Sequence, residues 1–440
     1  MSAPATRDRP RAPVSLRELR DIDPYPAYEL IRECGPVTWD DGMQAWLVVG
    51  HDDCTFVMRR EDLFAEPTGS LPDAARIVGR RDIRSLVDGE HEQLHRAISH
   101  AWRPAPIAHL AMDAVRPLVA DRVARVAATT RFELYEGFAR LLPIAVISRV
   151  LGLPDADAGT LHQARTWMEA VLAWRHSYGE DPAIRAAAIE ATRQLEPLLV
   201  DTVRDRRDHP RDDAISLIWQ VGRAIFPDWS ERDVIDNAKF MYEGGSETTG
   251  FLICTTIHRL LRMPQPSRAA ILGDPATFGL FQEEVLRHST VVHLRARTVR
   301  REVAISGVRV PAGDRVIAIT AAGNRDPQRW DRPAELDPTR PRLYGHLAFS
   351  VGPRHCAGAH IARLEASEAV RGLFRAFPDL GRAPDQPDTQ PVGFVSRAWR
   401  PNVLVHDPVD AGEAATRVTA GSPFATSLAG HAGAAVYGGG

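Results

Sequence analysis

Phe349-Ser350-Val351-Gly352-Pro353-Arg354-His355-Cys356-Ala357-Gly358 sets one cysteine on a turn shaped by glycine and proline, just ahead of a stretch whose amphipathic spacing predicts a helix over 359–377. A sulfur at a helix N-terminus faces unpaired backbone N–H groups and the positive end of the dipole, which favours thiolate over thiol. Arg354 adds a cation close by. Such a thiolate can serve as a nucleophile, a metal ligand or a haem ligand. The plain alternative is a small, inert, buried hydrophobe. A nucleophile needs a base, and His355, adjacent in sequence, is badly placed to point back at it. A zinc site normally takes four N or S ligands, and Cys34, Cys54 and Cys254 are scattered without paired spacing.

The string resembles the haem-binding loop of the cytochrome P-450 superfamily of haem-thiolate monooxygenases. That loop carries a Phe seven residues before the ligating Cys, a basic residue two before it and a Gly two after it, here Phe349, Arg354 and Gly358 around Cys356. Ser350 departs from the pattern, standing where the family usually has Gly. The run Asp23-Pro24-Tyr25-Pro26, the Trp46-Leu47-Val48 segment and Arg60-Glu61-Asp62-Leu63-Phe64 also resemble soluble bacterial members, so the likeness extends over about residues 20–405. It implies haem b (iron-protoporphyrin IX) ligated by Cys356. It also implies a triangular, mainly α fold with a small β part, the haem lying between a long central helix and the helix after the Cys loop.

Composition suits a soluble enzyme. The 440 residues are 44% hydrophobic, enough for a sizeable core, and the net charge of −3 carries no polyanion or membrane signature. Of 54 basic residues only Lys239 is lysine, a skew read as coding bias. Four cysteines without paired spacing suit a reducing cytoplasm. No segment has the roughly 18 continuous apolar residues of a membrane span, and residues 1–14 lack the apolar core of a signal peptide. Residues 1–15 and 409–440, rich in Ala, Gly, Pro and Ser, are expected to be disordered tails. A single domain is expected over 16–408, since no linker or repeat interrupts it. Within it, residues 37–49 read as a hairpin around Asp41-Gly42, and 52–60 as a short helix. Longer helices are predicted over 107–127, 139–151, 157–174, 183–207 and 231–262, with short strands near 303–319.

The helix over 231–262 is the second strong signal. Ser230 and Asp233 form a capping box at its start. Its middle reads Gly244-Gly245-Ser246-Glu247-Thr248-Thr249, and each interior glycine costs about 1 kcal/mol relative to alanine. Close helix packing is one explanation. The other is a local opening of the hydrogen-bond ladder where a flat cofactor and a diatomic ligand approach the backbone. The segment resembles the family's oxygen-binding segment, which implies that Thr248 hydrogen-bonds dioxygen while Glu247 relays protons from solvent.

Three further groups follow from the resemblance. Glu284 and Arg287, at i and i+3 on one helical face, resemble the family's buried Glu–Arg pair. Glu335 occupies the usual third-partner position, so Arg340 is the candidate substitute. Arg297, ten residues after Arg287, and Arg354 are placed against one haem propionate. His91 is placed against the other, with His95 where the family usually has Arg and Arg96 one step on. The pocket is expected to be lined by Val291, Val292, His293, Leu294 and Arg295, with Leu86 and Gly244, and Val291 stands where many members have Pro. Arg295 should share a face with Arg297, as another propionate or surface contact or as the partner of an anionic substrate group, helped at the pocket mouth by Arg76, Arg80 and Arg81.

The resemblance implies a monooxygenase that inserts one oxygen atom of O2 into a small organic molecule, expected to belong to secondary metabolism. No GxGxxG follows a strand and no Cys cluster is present. Electrons are therefore expected from NAD(P)H through a separate ferredoxin and reductase docking near Arg96, Arg103 and Arg363. A monomer acting in the cytoplasm is expected, with no nucleic-acid or membrane partner. Two alternatives stay open: a non-hydroxylating oxidation on the same haem (coupling, nitration or desaturation), and a haem sensor or carrier without catalysis, against which the acid–alcohol pair argues. A peroxide-driven enzyme is disfavoured by the same pair.

Overall fold

The computed structural model describes residues 9–102, 111–178 and 180–420; residues 1–8, 421–440 and Arg103 lie outside them. The chain divides into two compact units, each assembled from separated segments. The first comprises Met1–Pro67, Glu283–Cys356 and Gln390–Arg400; the second comprises Thr68–Gln282, Ala357–Thr389 and Pro401–Gly440.

The first unit is built on a five-stranded sheet in the order Val37–Asp40, Ala45–Val48, Arg315–Ile319, Leu294–Val299, Phe64–Ala65. The hairpin expected around Asp41-Gly42 is its first pair, with Val37 opposite Val48 and Asp40 opposite Ala45. Ala45–Val48 and Arg315–Ile319 run parallel, and the remaining pairings are antiparallel. Trp46, Val48, Phe64, Val299 and Val316 pack with Val57 and Met58 of the His51–Arg59 helix into one apolar core. In this register Arg295 faces Ala318 and Arg297 faces Val316, so the two arginines leave the sheet on the same side, as expected.

The second unit is helical, with a small sheet of Arg131–Glu133, Val403–Val405 and Gly381–Arg382. Its core gathers Leu94, Ile144, Trp174, Leu195, Trp219 and Tyr242. The segment expected as one helix over 183–207 is two, Pro182–Leu195 and Pro197–Asp208. Pro197 has no N–H to donate and its ring clashes with the turn before it, so the ladder restarts there. The central helix begins at the expected capping box, Ser230 N–H donating to Asp233 Oδ2 at 2.9 Å.

Described residues within both expected tails are ordered. Trp39 N–H donates to Pro10 O and Ala12 N–H to Trp39 O, and Ser15 caps the turn Leu16–Leu19. At the other end, Ala411–Thr419 is a helix, because Asp410 caps the N–H groups of Gly412 and Glu413 while Ala414 and Val418 are buried. Gly372 of the Ala359–Ala376 helix makes room for Val418.

Candidate active site

The cysteine turn belongs to the first unit. Cys356 N–H donates to Phe349 O at 2.8 Å, His355 N–H to Gly352 O and Ser350 N–H to Leu347 O, so the turn closes on itself. Gly352 has φ +77°, and a Cβ there would lie 2.9 Å from Arg59 Cγ and 3.0 Å from Arg59 Cα. Glycine is required on both counts. Ser350, the departure from the resembled pattern, takes φ +63°. An L-residue in that region costs roughly 1 kcal/mol or more, so the turn geometry is kept at some strain, with Ser350 Oγ 3.4 Å from Met58 Sδ.

Glu284 is the hub that carries this turn. Arg287 donates to both its carboxylate oxygens at 2.8 and 2.7 Å, Arg340 Nε donates to Oε1 at 3.0 Å, and Asp337 N–H adds a bond at 2.8 Å. The side chains of Glu284 and Arg287 are fully buried and that of Arg340 is 4% exposed. Arg340 is thus the third partner. Glu335, at the usual position, joins through its backbone carbonyl, which accepts from both arginines. Arg287 also donates to Asn324 O, and Asn324 Oδ1 accepts from Leu347 N–H at 2.7 Å, two residues before Phe349.

Arg297 is buried and Arg354 half-buried. Arg297 Nη1 lies 3.1 Å from Glu66 Oε2, and Arg354 Nε pairs with Glu61. Burial pulls the Arg297 pKa down, Glu66 opposes the shift, and the neighbouring charge of Arg354 adds to it. Two guanidiniums this close suit an incoming carboxylate. Of the expected pocket residues in this unit, His293 is corrected: its ring packs against Tyr25 and Tyr28, with Nδ1 3.1 Å from Tyr28 Oη. It is a core histidine, held neutral chiefly by burial. Val291 and Leu294 are buried, Val292 bridges to Ser396, and Arg295 is half-buried.

In the second unit the central helix is interrupted where its sequence predicts an opening. Glu231–Ser246 and Thr248–Leu261 are separate helices joined at Glu247, whose φ and ψ are −112° and −51°. Thr248 Oγ1 donates to Gly244 O at 3.1 Å, taking a carbonyl that the regular ladder would use. A Cβ built on Gly244 would meet nothing within 4 Å, whereas one on Gly245 would press on Ile147 at 3.1 Å. Gly245 serves packing; Gly244 leaves an open face.

Glu247 is held by a residue that sequence patterns did not single out. Arg165 of the Ala158–His176 helix places Nη2 3.1 Å from Glu247 Oε1 and 3.0 Å from Tyr135 Oη. Burial works against this guanidinium's charge, but Tyr135, Glu247 and Glu169 outweigh it and raise its pKa. A lone arginine on an amphipathic helix carries no signal of such a contact.

On the Asp88–Ala101 helix, His91 and His95 share a face, ring centroids 5.3 Å apart, while Arg96 turns outward to Glu92. Among these, His95 rather than Arg96 accompanies His91. Leu86 is buried in the core of this unit. Arg76 and Arg81 are paired with Asp73 and Asp228, and Arg80 is exposed. Arg363 donates to Ala359 O within its own helix.

In the first unit a soft sulfur on an ordered turn and two neighbouring guanidiniums are groups that suit haem b, and in the second an interrupted helix carries an acid and an alcohol. The family described as Cytochrome P450 matches residues 281–401. The cytochrome P450 monooxygenase PikC of Streptomyces venezuelae is 30% identical over 87% of this chain and 89% of its own length. The 6-deoxyerythronolide B hydroxylase of Saccharopolyspora erythraea is 27% identical over 87% and 94%. The structure of CYP109B1 from Bacillus subtilis superposes with a TM-score of 0.73 at 24% identity, covering 87% of this chain and 99% of that one. The chain belongs to the cytochrome P450 family and is a haem b monooxygenase. Among the described residues no helix is long and apolar enough to cross a membrane.

Proposed function

We propose that this monooxygenase hydroxylates an organic secondary metabolite in the bacterial cytoplasm, with electrons from NAD(P)H delivered by a ferredoxin and its reductase. Bound through a thiolate, haem supplies activation of dioxygen, because the axial sulfur favours O–O cleavage. The rest is the work of the protein. Cys356 would ligate the haem iron, presented by the turn that Glu284, Arg287 and Arg340 hold in place. Arg297 and Arg354 would hold one propionate carboxylate, and His91 and His95 would serve the other.

On the distal side, Gly244 leaves room for dioxygen and substrate. Thr248 Oγ, released from the Gly244 carbonyl, orients the oxygen molecule and passes it protons, and Glu247 exchanges those protons with solvent. The interruption at Glu247, with the Thr248–Gly244 hydrogen bond, carries this reading. It supports oxidation over a carrier role, since a carrier has no use for a proton path. Arg295, Val292 and Leu294 contribute to the substrate wall. An anionic group on the substrate would meet Arg295, which is half-buried and leaves the sheet on the same side as Arg297.

The test joins two measurements. Candidate metabolites are screened for displacement of the distal water, read as a Soret shift. Each hit is then assayed with ferredoxin, reductase and NADPH. Substrate-dependent NADPH consumption with a product one oxygen atom heavier is the expected result; binding without consumption would leave only a carrier.

A further inference from the structure

The two arginines beside the cysteine turn are already matched, charge for charge, by two glutamates of the same unit. Arg297 and Glu66 are 6% and 17% exposed; Arg354 and Glu61 are 12% and 15% exposed. Neither glutamate is there by side-chain chance. Ala65 faces Thr298 in the antiparallel pairing of Phe64–Ala65 with Leu294–Val299. Glu66 follows directly on the end of this pairing, which sets it beside Arg297, two residues inside the facing strand end. Glu61 sits in the turn leaving the His51–Arg59 helix, fixed by Arg60 N–H on Phe56 O and Leu63 N–H on Arg60 O. Arg59, at the end of that helix, is the residue Gly352 packs on. The same surface that supports the cysteine turn therefore delivers Glu61 to Arg354.

The four groups act as one cluster. Arg354 and Glu61 both influence the charge on Arg297, besides its own partner Glu66. Each of the two guanidiniums thus already faces a carboxylate. A propionate carboxylate brought to these arginines would share them with two glutamates, each of which adds a negative charge beside it. In a largely buried site such a charge is weakly screened. It opposes the addition of an electron to the haem.

We propose that Glu66, assisted by Glu61, is a positioning residue that shares Arg297 and Arg354 with the haem propionate and thereby holds the reduction potential of the haem down. The inference rests on the haem-thiolate reading of Cys356. The step it governs is the one-electron reduction of ferric to ferrous haem, the electron coming from the ferredoxin in turnover and from dithionite in the test.

The experiment is a dithionite titration of the purified holoenzyme, wild type against Glu66→Gln and Glu61→Gln, followed spectroscopically with redox mediators. Each variant should favour the ferrous form by up to about tenfold, which is about 59 mV for a one-electron couple. The red-shifted Soret band of the reduced carbonyl complex should persist in both. Transfer of haem to apomyoglobin should be slower in Glu66→Gln, because Arg297 then has one carboxylate fewer to share with the propionate. An unchanged midpoint in both variants, with the carbonyl band intact, overturns the proposal, since the propionate would then simply displace the glutamates. Faster haem loss at an unchanged midpoint overturns it as well, by making Glu66 a purely structural support. Should Glu66→Gln fail to fold, the midpoint of Glu61→Gln decides alone. Absence of the carbonyl band in the wild type would instead strike the haem reading itself.

Discussion

Arg165 Nη2 lies 3.1 Å from Glu247 Oε1, and the guanidinium making this contact is fully buried while the carboxylate keeps 14% of its surface in solvent. The pair therefore joins a dry end to a wet end. It orients an acid at the break in the central helix while leaving it an exchange route to water.

Arg165→Met should destabilise the protein by about 3 kcal/mol, the low end of the range for breaking a buried ion pair, because Glu247 retains some hydration. Glu247→Gln, which leaves a hydrogen-bond acceptor for the guanidinium, should cost less. Urea unfolding of both variants checks the order. Equal midpoints would mean that the pair does not form.

Thr248→Ala should uncouple electron use from product. A positioned proton donor is worth roughly 10²–10⁴ in rate. With the first metabolite found to shift the Soret band, NADPH should still be consumed, product per NADPH should fall at least about tenfold, and peroxide should rise to match. Unchanged coupling removes Thr248 from proton delivery and leaves the fold untouched.

Local signals in the chain were legible, and long-range pairings were not. The cysteine turn, the hairpin at Asp41-Gly42 and the opening near Gly244 are each written in short glycine and capping patterns, and each is present. Pro197 was equally visible as a break. The helix Ala411–Thr419 was hidden because its Ala/Gly-rich composition resembles a disordered tail; its Asp410 cap and the buried Ala414 and Val418 decide otherwise. Arg165, Glu66 and Glu61 left no trace, since their partners stand 82, 231 and 293 residues away. His293 misled for the same reason, as Tyr28 claims its ring from 265 residues upstream.

Arg287→Ala should be the most damaging change at the Glu284 hub. It leaves a fully buried carboxylate short of its bidentate partner and withdraws a donor from the carbonyls of Asn324, Pro333 and Glu335. A loss of about 3–5 kcal/mol is expected, together with reduced haem content, because Asn324 holds the Leu347 N–H ahead of the cysteine turn. Arg340→Ala, which leaves the Arg287 pair intact, should lose less. Denaturant midpoints and haem per chain in the two variants test the ranking.

Cys356→Ser should abolish the thiolate signature while keeping the fold, since the Phe349 carbonyl bonds the backbone N–H of residue 356, which serine retains. The reduced carbon monoxide spectrum is the measurement. A variant that retained the red-shifted Soret band would take the ligand away from this sulfur.

Glu365 should make the protein lose stability as pH rises. Its side chain is buried in the Ala359–Ala376 helix, Oε1 has no hydrogen-bond partner among the described residues, and burial alone raises its pKa well above the usual carboxylate range. In the unfolded chain the same group ionises near pH 4.5. Below that value both states hold the proton and the group contributes its full stability. Above it the unfolded chain releases a proton that the folded one keeps, so stability falls by up to about 1.4 kcal/mol per pH unit until the folded group also ionises. Glu365→Gln has the same shape and no proton to lose. Unfolding free energies of the two proteins should therefore converge near pH 4 and diverge toward alkaline pH, with the variant the more stable. Parallel curves between pH 4 and 8 would show that Glu365 finds a charged partner in the folded protein.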